Sequence, residues 1–139
     1  MKKPVLLFAL KCSVIVYFAA CTSIDKLSTS QSVTQLVTKG TWKVNCYSNT
    51  NIDNTCNFKD YSFTFNKTGS VVAIKDGVSF TGNWIEDNIS RKITINFNNS
   101  NTVLNDLNHY WNITSITNDG ISFEKTSEKN TQKFYITTL

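Results

Sequence analysis

The chain has 139 residues, which is enough for one domain and too few for several. Its formal net charge is +4, but three of its fourteen basic residues (Lys2, Lys3 and Lys11) and none of its acidic residues lie in the first twenty positions. Without that segment the chain keeps eleven basic and ten acidic residues, a charge of +1. A charge so close to neutral gives no reason to expect nucleic acid as a partner.

The first twenty residues have the layout of an export signal. Two lysines form a basic start, and two apolar stretches follow, Val5–Leu10 and Cys12–Ala20, which Lys11 separates. Neither stretch approaches the roughly 20 apolar residues that a membrane-spanning helix needs. We therefore predict that residues 1–20 are a signal peptide that is removed on export.

The signal ends in Phe18-Ala19-Ala20-Cys21, with two small residues before a cysteine. This sequence resembles the lipobox of bacterial lipoproteins. The resemblance implies cleavage before Cys21 and lipidation of its thiol with fatty acids such as palmitate. Each buried CH₂ contributes about 0.8 kcal/mol, so two or three acyl chains anchor a protein durably. We expect a lipid-anchored protein of the cell envelope, at the outer membrane, with residues 21–35 as a tether.

From Gly40 onward, apolar and polar residues alternate, which is typical of half-buried β-strands. Short turns separate these runs, and Asp76-Gly77 is a pair that two-residue hairpin turns prefer. Gly82 has no side chain, so we expect it to leave room for a bend in the strand or for a neighbouring ring. The predicted strands are Trp42–Cys46, Tyr61–Phe65, Ser70–Lys75, Val78–Ile85, Ile93–Phe97, Tyr110–Thr117, Ile121–Thr126 and Lys133–Thr138.

Three longer stretches lie outside these strands. Ser32–Thr38 carries apolar residues at positions 33, 36 and 37, a spacing that favours one or two helical turns. Tyr47–Asp60 is predicted to be a polar loop. Asn98–His109 is a long connection that we expect to contain a short helix covering one end of the fold.

Eight short strands joined mostly by tight turns predict an antiparallel order, because parallel connections need a dozen or more residues. Closing such a meander on itself removes its exposed edges. We therefore predict an all-β fold, a single antiparallel eight-stranded meander barrel.

Several pieces of the sequence resemble known barrel proteins. Gly40-Thr41-Trp42 resembles the Gly-x-Trp opening of lipocalin-type barrels. Together with Tyr61–Asn66, Gly82-Asn83-Trp84 and Leu107-Asn108 before Trp111, it resembles the small lipocalin-like lipoproteins of Bacteroidetes-type bacteria. The resemblance implies a barrel domain over residues 36–139, a lipidated cysteine, no established catalytic chemistry and a packing role for Trp42 at one barrel end. The Thr-Asp-Tyr element of true lipocalins is absent from the sequence.

A set of aromatic residues on the predicted inward faces leads to two functional hypotheses. The first is a non-catalytic module that binds a small apolar molecule inside the barrel. The second is a structural or protein-interaction lipoprotein whose barrel is filled by its own side chains. We expect a monomer without a cofactor in either case. The candidate pocket-lining or core residues are Trp42, Phe63, Phe65, Phe80, Trp84 and Trp111.

Cys46 and Cys56 lie on either side of the start of the predicted polar loop. The cell envelope permits disulfides, and a bridge between them would contribute roughly 3 kcal/mol of stability on the chain-entropy model. We predict this disulfide. The alternative is a buried thiol at Cys46 and a free thiol at Cys56 on the loop.

Little in the sequence points to an enzyme or to a metal site. His109 is the one histidine, and Ser115 or Asp106 are the partners that could be named for it, but nothing in the sequence brings them together. Asn49-x-Asn51-x-Asp53 has alternating oxygen ligands but lacks the glycine and glutamate of a calcium-binding EF-hand loop. We predict no catalytic residue and no bound metal.

Overall fold

A computed structural model describes residues 32–98 and 101–139. The predicted signal peptide, Cys21 and the tether as far as residue 31 lie outside the described residues. The helices are α1 (Val33–Val37) and α2 (Thr102–Asn105), with a 3₁₀ helix at Thr55–Phe58. The strands are β1 (Thr41–Asn49), β2 (Ile52–Asp53), β3 (Ser62–Phe65), β4 (Ser70–Lys75), β5 (Val78–Asp87), β6 (Lys92–Phe97), β7 (Tyr110–Ile116), β8 (Gly120–Thr126) and β9 (Thr131–Thr138).

The strands form one antiparallel sheet in the order β2-β1-β3-β4-β5-β6-β7-β8-β9, and β1 also pairs with β9. This second pairing closes eight strands into a meander barrel and leaves β2 as an extra strand beside β1. The predicted all-β fold and the eight-stranded antiparallel barrel are confirmed. Asp76 and Gly77 have φ angles of 51° and 77°, as a two-residue hairpin turn requires.

The interior of the barrel is packed with aromatic and branched side chains. Trp111 and Phe134 have ring centroids 4.6 Å apart, and Phe123 stacks on Phe134 at 4.4 Å. Alternation along each strand brings these side chains inward. The largest fully buried side chains are Trp42, Trp111, Tyr47, Phe58, Phe97 and Phe123.

Each end of the barrel is covered by a short helix. We call one end the α1 rim, which carries α1 and the turns at 66–69, 88–91 and 117–119. The opposite α2 rim carries α2 and the turns at 76–77 and 127–130. Both predicted helical segments are therefore present. No helix in the two described ranges is long and apolar enough to cross a bilayer.

A bulge in β1 changes which side chains face inward. The register between β1 and β9 shifts between Val44 and Cys46, so one extra residue is accommodated in β1. An extra residue reverses the alternation beyond it. Trp42 and Val44 are buried as predicted, but Tyr47 is buried next and Cys46 is only half-buried.

The expectation of a polar loop at Tyr47–Asp60 is wrong. β1 continues to Asn49, and a tight turn with positive φ at Thr50 and Asn51 leads into β2. The 3₁₀ helix then returns the chain to the barrel and places Phe58, which is 1% exposed, in the core. The segment therefore forms part of the barrel wall, because β1 continues through it and Phe58 packs into the core.

Replacement of Gly82 by alanine tests a close approach between two strands of the barrel, β5 and β6. A Cβ there would overlap the Asn96 carbonyl oxygen and lie 2.9 Å from the Phe97 ring. The expected role of Gly82 beside a neighbouring ring is thereby confirmed. We expect Gly82→Ala to lower the free energy of unfolding in urea by about 1–3 kcal/mol. Gly40→Ala is the control, since a Cβ at Gly40 meets nothing within 4 Å; equal effects would contradict this account.

Candidate functional site

The structure brings the six predicted aromatic residues to the interior face of the barrel. Five are buried, and Phe80 is partly buried and packs against the core. Phe65 contacts Trp84 edge-on with centroids 5.6 Å apart, and Phe63 lies 6.4 Å from Phe97. These aromatic side chains therefore belong to the packed core of the barrel.

All three tryptophans donate their indole N–H groups to backbone carbonyls near the barrel ends. Trp42 Nε1 lies 2.8 Å from the carbonyl oxygen of Val37, at the end of α1. Trp111 Nε1 lies 3.0 Å from that of Leu107, just after α2, and Trp84 Nε1 lies 3.0 Å from Asn66 O. Buried indoles need such partners. The packing role expected of Trp42 fits this geometry, and the indoles are engaged by the protein itself.

A surface groove lies where two neighbouring strands separate. The register between β1 and β3 comprises Thr41↔Thr64 and Trp42↔Phe63, whereas that between β1 and β9 continues to Asn49. Beyond Trp42 the 3₁₀ helix covers the gap. The groove along this seam has a volume of about 540 Å³. We call it the seam groove; it is lined by residues 43–45, 55, 56, 58–62 and 139.

The seam groove combines an apolar floor with a polar rim. Val44, Phe58 and Tyr61 are buried and form the floor, whereas Lys43 and Lys59 are exposed beside it. Apolar surface flanked by polar groups is the usual composition of a binding site. This groove has no signal in the sequence, because the polar pattern around Phe58 predicts a solvated loop.

The predicted Cys46–Cys56 disulfide is not formed. Cys56 is a free, exposed thiol on the 3₁₀ helix, and its Sγ lies 3.8 Å from Asn57 Oδ1. The bulge in β1 turns Cys46 away from the position that simple alternation predicts. The seam groove therefore carries a nucleophilic side chain, Cys56, at its edge.

Tyr47 supports the 3₁₀ helix from inside. Its ring centroid is 4.9 Å from that of Phe58, and Gln132 Nε2 donates to its hydroxyl at 3.4 Å. Burial, with a smaller contribution from the Asp106 carboxylate, raises the pKa of Tyr47 to about 12. The phenol is therefore neutral at physiological pH and supports packing.

Of the two partners considered for His109 from the sequence, Asp106 is near enough to act on its imidazole electrostatically, whereas Ser115 is not brought to it. His109 precedes β7, whereas Ser115 lies near the other end of that strand, roughly 20 Å away at the usual rise per residue. Burial and the nearby Lys125 cation lower the pKa of His109, and Asp106 opposes them only in part. A neutral imidazole packed edge-on at 6.2 Å from Trp111 fits a structural role.

The oxygen-rich Asn49-x-Asn51-x-Asp53 segment forms the β1–β2 turn. Asn49 Oδ1 accepts from Thr50 Oγ1 at 3.1 Å, and Asp53 Oδ1 accepts from the Thr55 backbone N–H at 2.8 Å. These side chains stabilise the local backbone. Within residues 32–98 and 101–139, no three His, Cys, Asp or Glu side chains come together in a way that could hold a metal ion.

The most concentrated polar contact attaches α1 to the barrel wall. Glu86, near the end of β5, accepts from Ser32 Oγ at 2.7 Å, from the Val33 and Thr34 backbone N–H groups at 2.8 Å each, and from Thr34 Oγ1 at 2.6 Å. Ser32 itself makes no side-chain capping bond. Glu86 therefore caps α1 from a strand more than fifty residues away.

Hydrogen bonding determines the protonation state of Glu86. Burial would raise the pKa of this carboxyl group, but the four hydrogen bonds from Thr34, Ser32 and Val33 outweigh that effect and hold the pKa below its ordinary value. The group is ionised at neutral pH. This contact has no signal in the sequence, because no local pattern relates Glu86 to residues 32–34.

Comparisons with known proteins identify a similar fold. No family model matches the chain, and no curated protein matches it. Among solved structures, it is similar to a DUF4847 family protein from Bacteroides vulgatus, with a TM-score of 0.55 and 14% sequence identity. The similarity covers 74% of this chain and 96% of that one. At this identity the likeness shows a shared fold.

Replacement of Glu86 by glutamine tests the attachment of α1. The folded pKa is depressed, so the stabilisation is complete above the ordinary value near 4.5 and is lost as pH falls through the lower folded pKa. We expect Glu86→Gln to cost about 1–2 kcal/mol at pH 7, because solvent partly screens the group. The difference from the unmodified protein should shrink towards pH 3 in urea titrations.

Glu124→Gln is the matched control for this experiment. Its carboxylate lies 3.4 Å from Lys133 Nζ at the surface, and such pairs contribute little. A cost at Glu86 that equals the cost at Glu124, or that does not depend on pH, would contradict the proposed capping.

Proposed function

We propose that this protein is a lipid-anchored, non-catalytic component of a bacterial cell envelope that acts through the outer surface of its barrel. The filled interior carries the proposal. Trp42 and Trp111 are fully buried and bonded to backbone carbonyls, and the aromatic rings around them pack against one another. This packing supports the hypothesis of a filled barrel over that of an internal site for a small apolar molecule.

The arrangement of reactive groups supports a non-catalytic role. A general base must lie within hydrogen-bond reach of the group it serves. His109 lies at the opposite end of β7 from Ser115, and Tyr47 keeps its proton at physiological pH. The Cys56 thiol is a further nucleophile, and no histidine is among the described residues that line the seam groove beside it.

The seam groove is the part of the surface best suited to a partner. β1 extends beyond its pairing with β3, so its edge borders the groove beside the exposed side chains of Lys43 and Asn45. Exposed strand edges bind extended polypeptide through backbone hydrogen bonds, with side-chain pockets giving specificity. We propose an extended segment of another envelope protein as the occupant.

Lipidation at Cys21 is tested by metabolic labelling with palmitate in a bacterial host. We expect the full chain to incorporate label and Cys21→Ala to incorporate none, because the lipobox-like sequence places the acyl chains on that thiol. Cys56→Ser is the control, since a free exposed thiol is another acceptor to test. Label that persists in Cys21→Ala would refute the anchor.

Occupation of the seam groove is tested by photo-crosslinking from Cys56. A maleimide carrying a diazirine is attached to this thiol in cell envelopes, and we expect one discrete cross-linked species of higher mass on a gel. The control moves the probe to the exposed outer face of β6, with Thr94→Cys in a Cys56→Ser background. The same pattern from both positions, or none from Cys56, would contradict the proposed docking site.

A further inference from the structure

We infer that the α1 rim rests on the lipid bilayer and that Ile89, at the tip of the β5–β6 turn, enters the interface between headgroups and acyl chains. The inference rests on the proposed lipid anchor at Cys21. It adds the orientation of the barrel and a second membrane contact, neither of which a lipidated cysteine specifies.

The chain joins the barrel beside this turn. Ser32 and Thr34 are held by Glu86, which lies three residues before Ile89. A chain arriving from a membrane anchor therefore reaches the fold at the α1 rim. The four hydrogen bonds to Glu86 fix that point of arrival relative to the β5–β6 turn.

The length of the preceding chain favours the same orientation. Eleven residues, 21–31, separate the proposed anchor from Ser32. Seating the α2 rim on the membrane would hold Ser32 a full barrel height away, roughly 15–20 Å for strands of about seven residues at the usual tilt, and the preceding chain would have to cross that distance. Contact through the α1 rim requires no such extension.

The β5–β6 turn presents an apolar side chain in a fixed position. Ile89 is 97% exposed, the largest value among the exposed large hydrophobic residues of the described chain. Asp87 Oδ1 accepts from the backbone N–H groups of Ile89 at 3.0 Å and Ser90 at 3.2 Å, and Asp87 Oδ2 accepts from Ser90 Oγ at 2.6 Å. These bonds fix the conformation of the turn and therefore keep the Ile89 side chain on its outer side.

Charged groups around the turn fit a headgroup layer. Exposed Lys39 and Lys67 lie on this rim, whereas Arg91 is only half-exposed and its Nη2 atom is buried. Cations at this depth face lipid phosphates. The rim also carries the carboxylates of Asp87 and Asp119, and both are engaged in hydrogen bonds within their own turns.

The experiment measures the depth of position 89 in a bilayer. The full lipidated chain is made with the fluorescent amino acid dansylalanine in place of Ile89 and is reconstituted into phosphatidylcholine vesicles. Some of the lipids carry a spin label near the top of the acyl chain, which quenches only fluorophores at that depth. A second protein carries dansylalanine in place of Lys129, on the α2 rim.

We expect position 89 to be quenched several-fold more strongly than position 129, with its emission shifted to the blue. Equal quenching at the two positions in protein that floats with the vesicles would overturn the inference and leave the anchor intact. Protein that does not float with the vesicles would overturn the anchor itself. Ile89→Ser should float as well as the unmodified chain, because the acyl chains supply the affinity.

Discussion

The closure of β1 on β9 is the constraint on which the rest of this structure depends. An eight-stranded barrel encloses a narrow space that its own side chains can fill or that can hold one small ligand, and in this barrel aromatic and branched side chains pack into it. Closure also creates two open ends, where apolar side chains and buried indoles would otherwise meet water. The helices α1 and α2 cover these ends, and Trp42 and Trp111 attach to the chain there through hydrogen bonds.

Because of this constraint, the side chains that stabilise the barrel are different from those that remain on its outer surface. The inward side chains pack in the core, and the three indole N–H groups donate to backbone carbonyl oxygens. Under the proposed function, the residues that contact a partner are outward side chains, turns and the seam beside β1. At this seam β1 and β3 pair at only two positions, and the 3₁₀ helix with Phe58 covers the gap between them.

Local sequence signals predict the regular parts of this fold and miss the parts set by long-range contacts. Alternation and turn residues such as Asp76-Gly77 locate eight strands, because both signals are local. The bulge after Val44 reverses the alternation without a marker in the sequence, so simple alternation places Cys46 inward and leaves Tyr47 in a loop. Phe58 packs on Tyr47, which faces inward only because of the bulge, and Glu86 acts through residues more than fifty positions away. Local pattern cannot reveal such partners.

The attachment of α1 through Glu86 has a mechanical consequence. A pull on the chain before Ser32 is transferred to the wall of the barrel at β5, through four hydrogen bonds that share the force. The attachment point includes the first two residues of α1, Val33 and Thr34, and the rest of the helix follows it in the chain. Leu36 and Val37 can therefore stay packed over the core while the preceding chain is under tension.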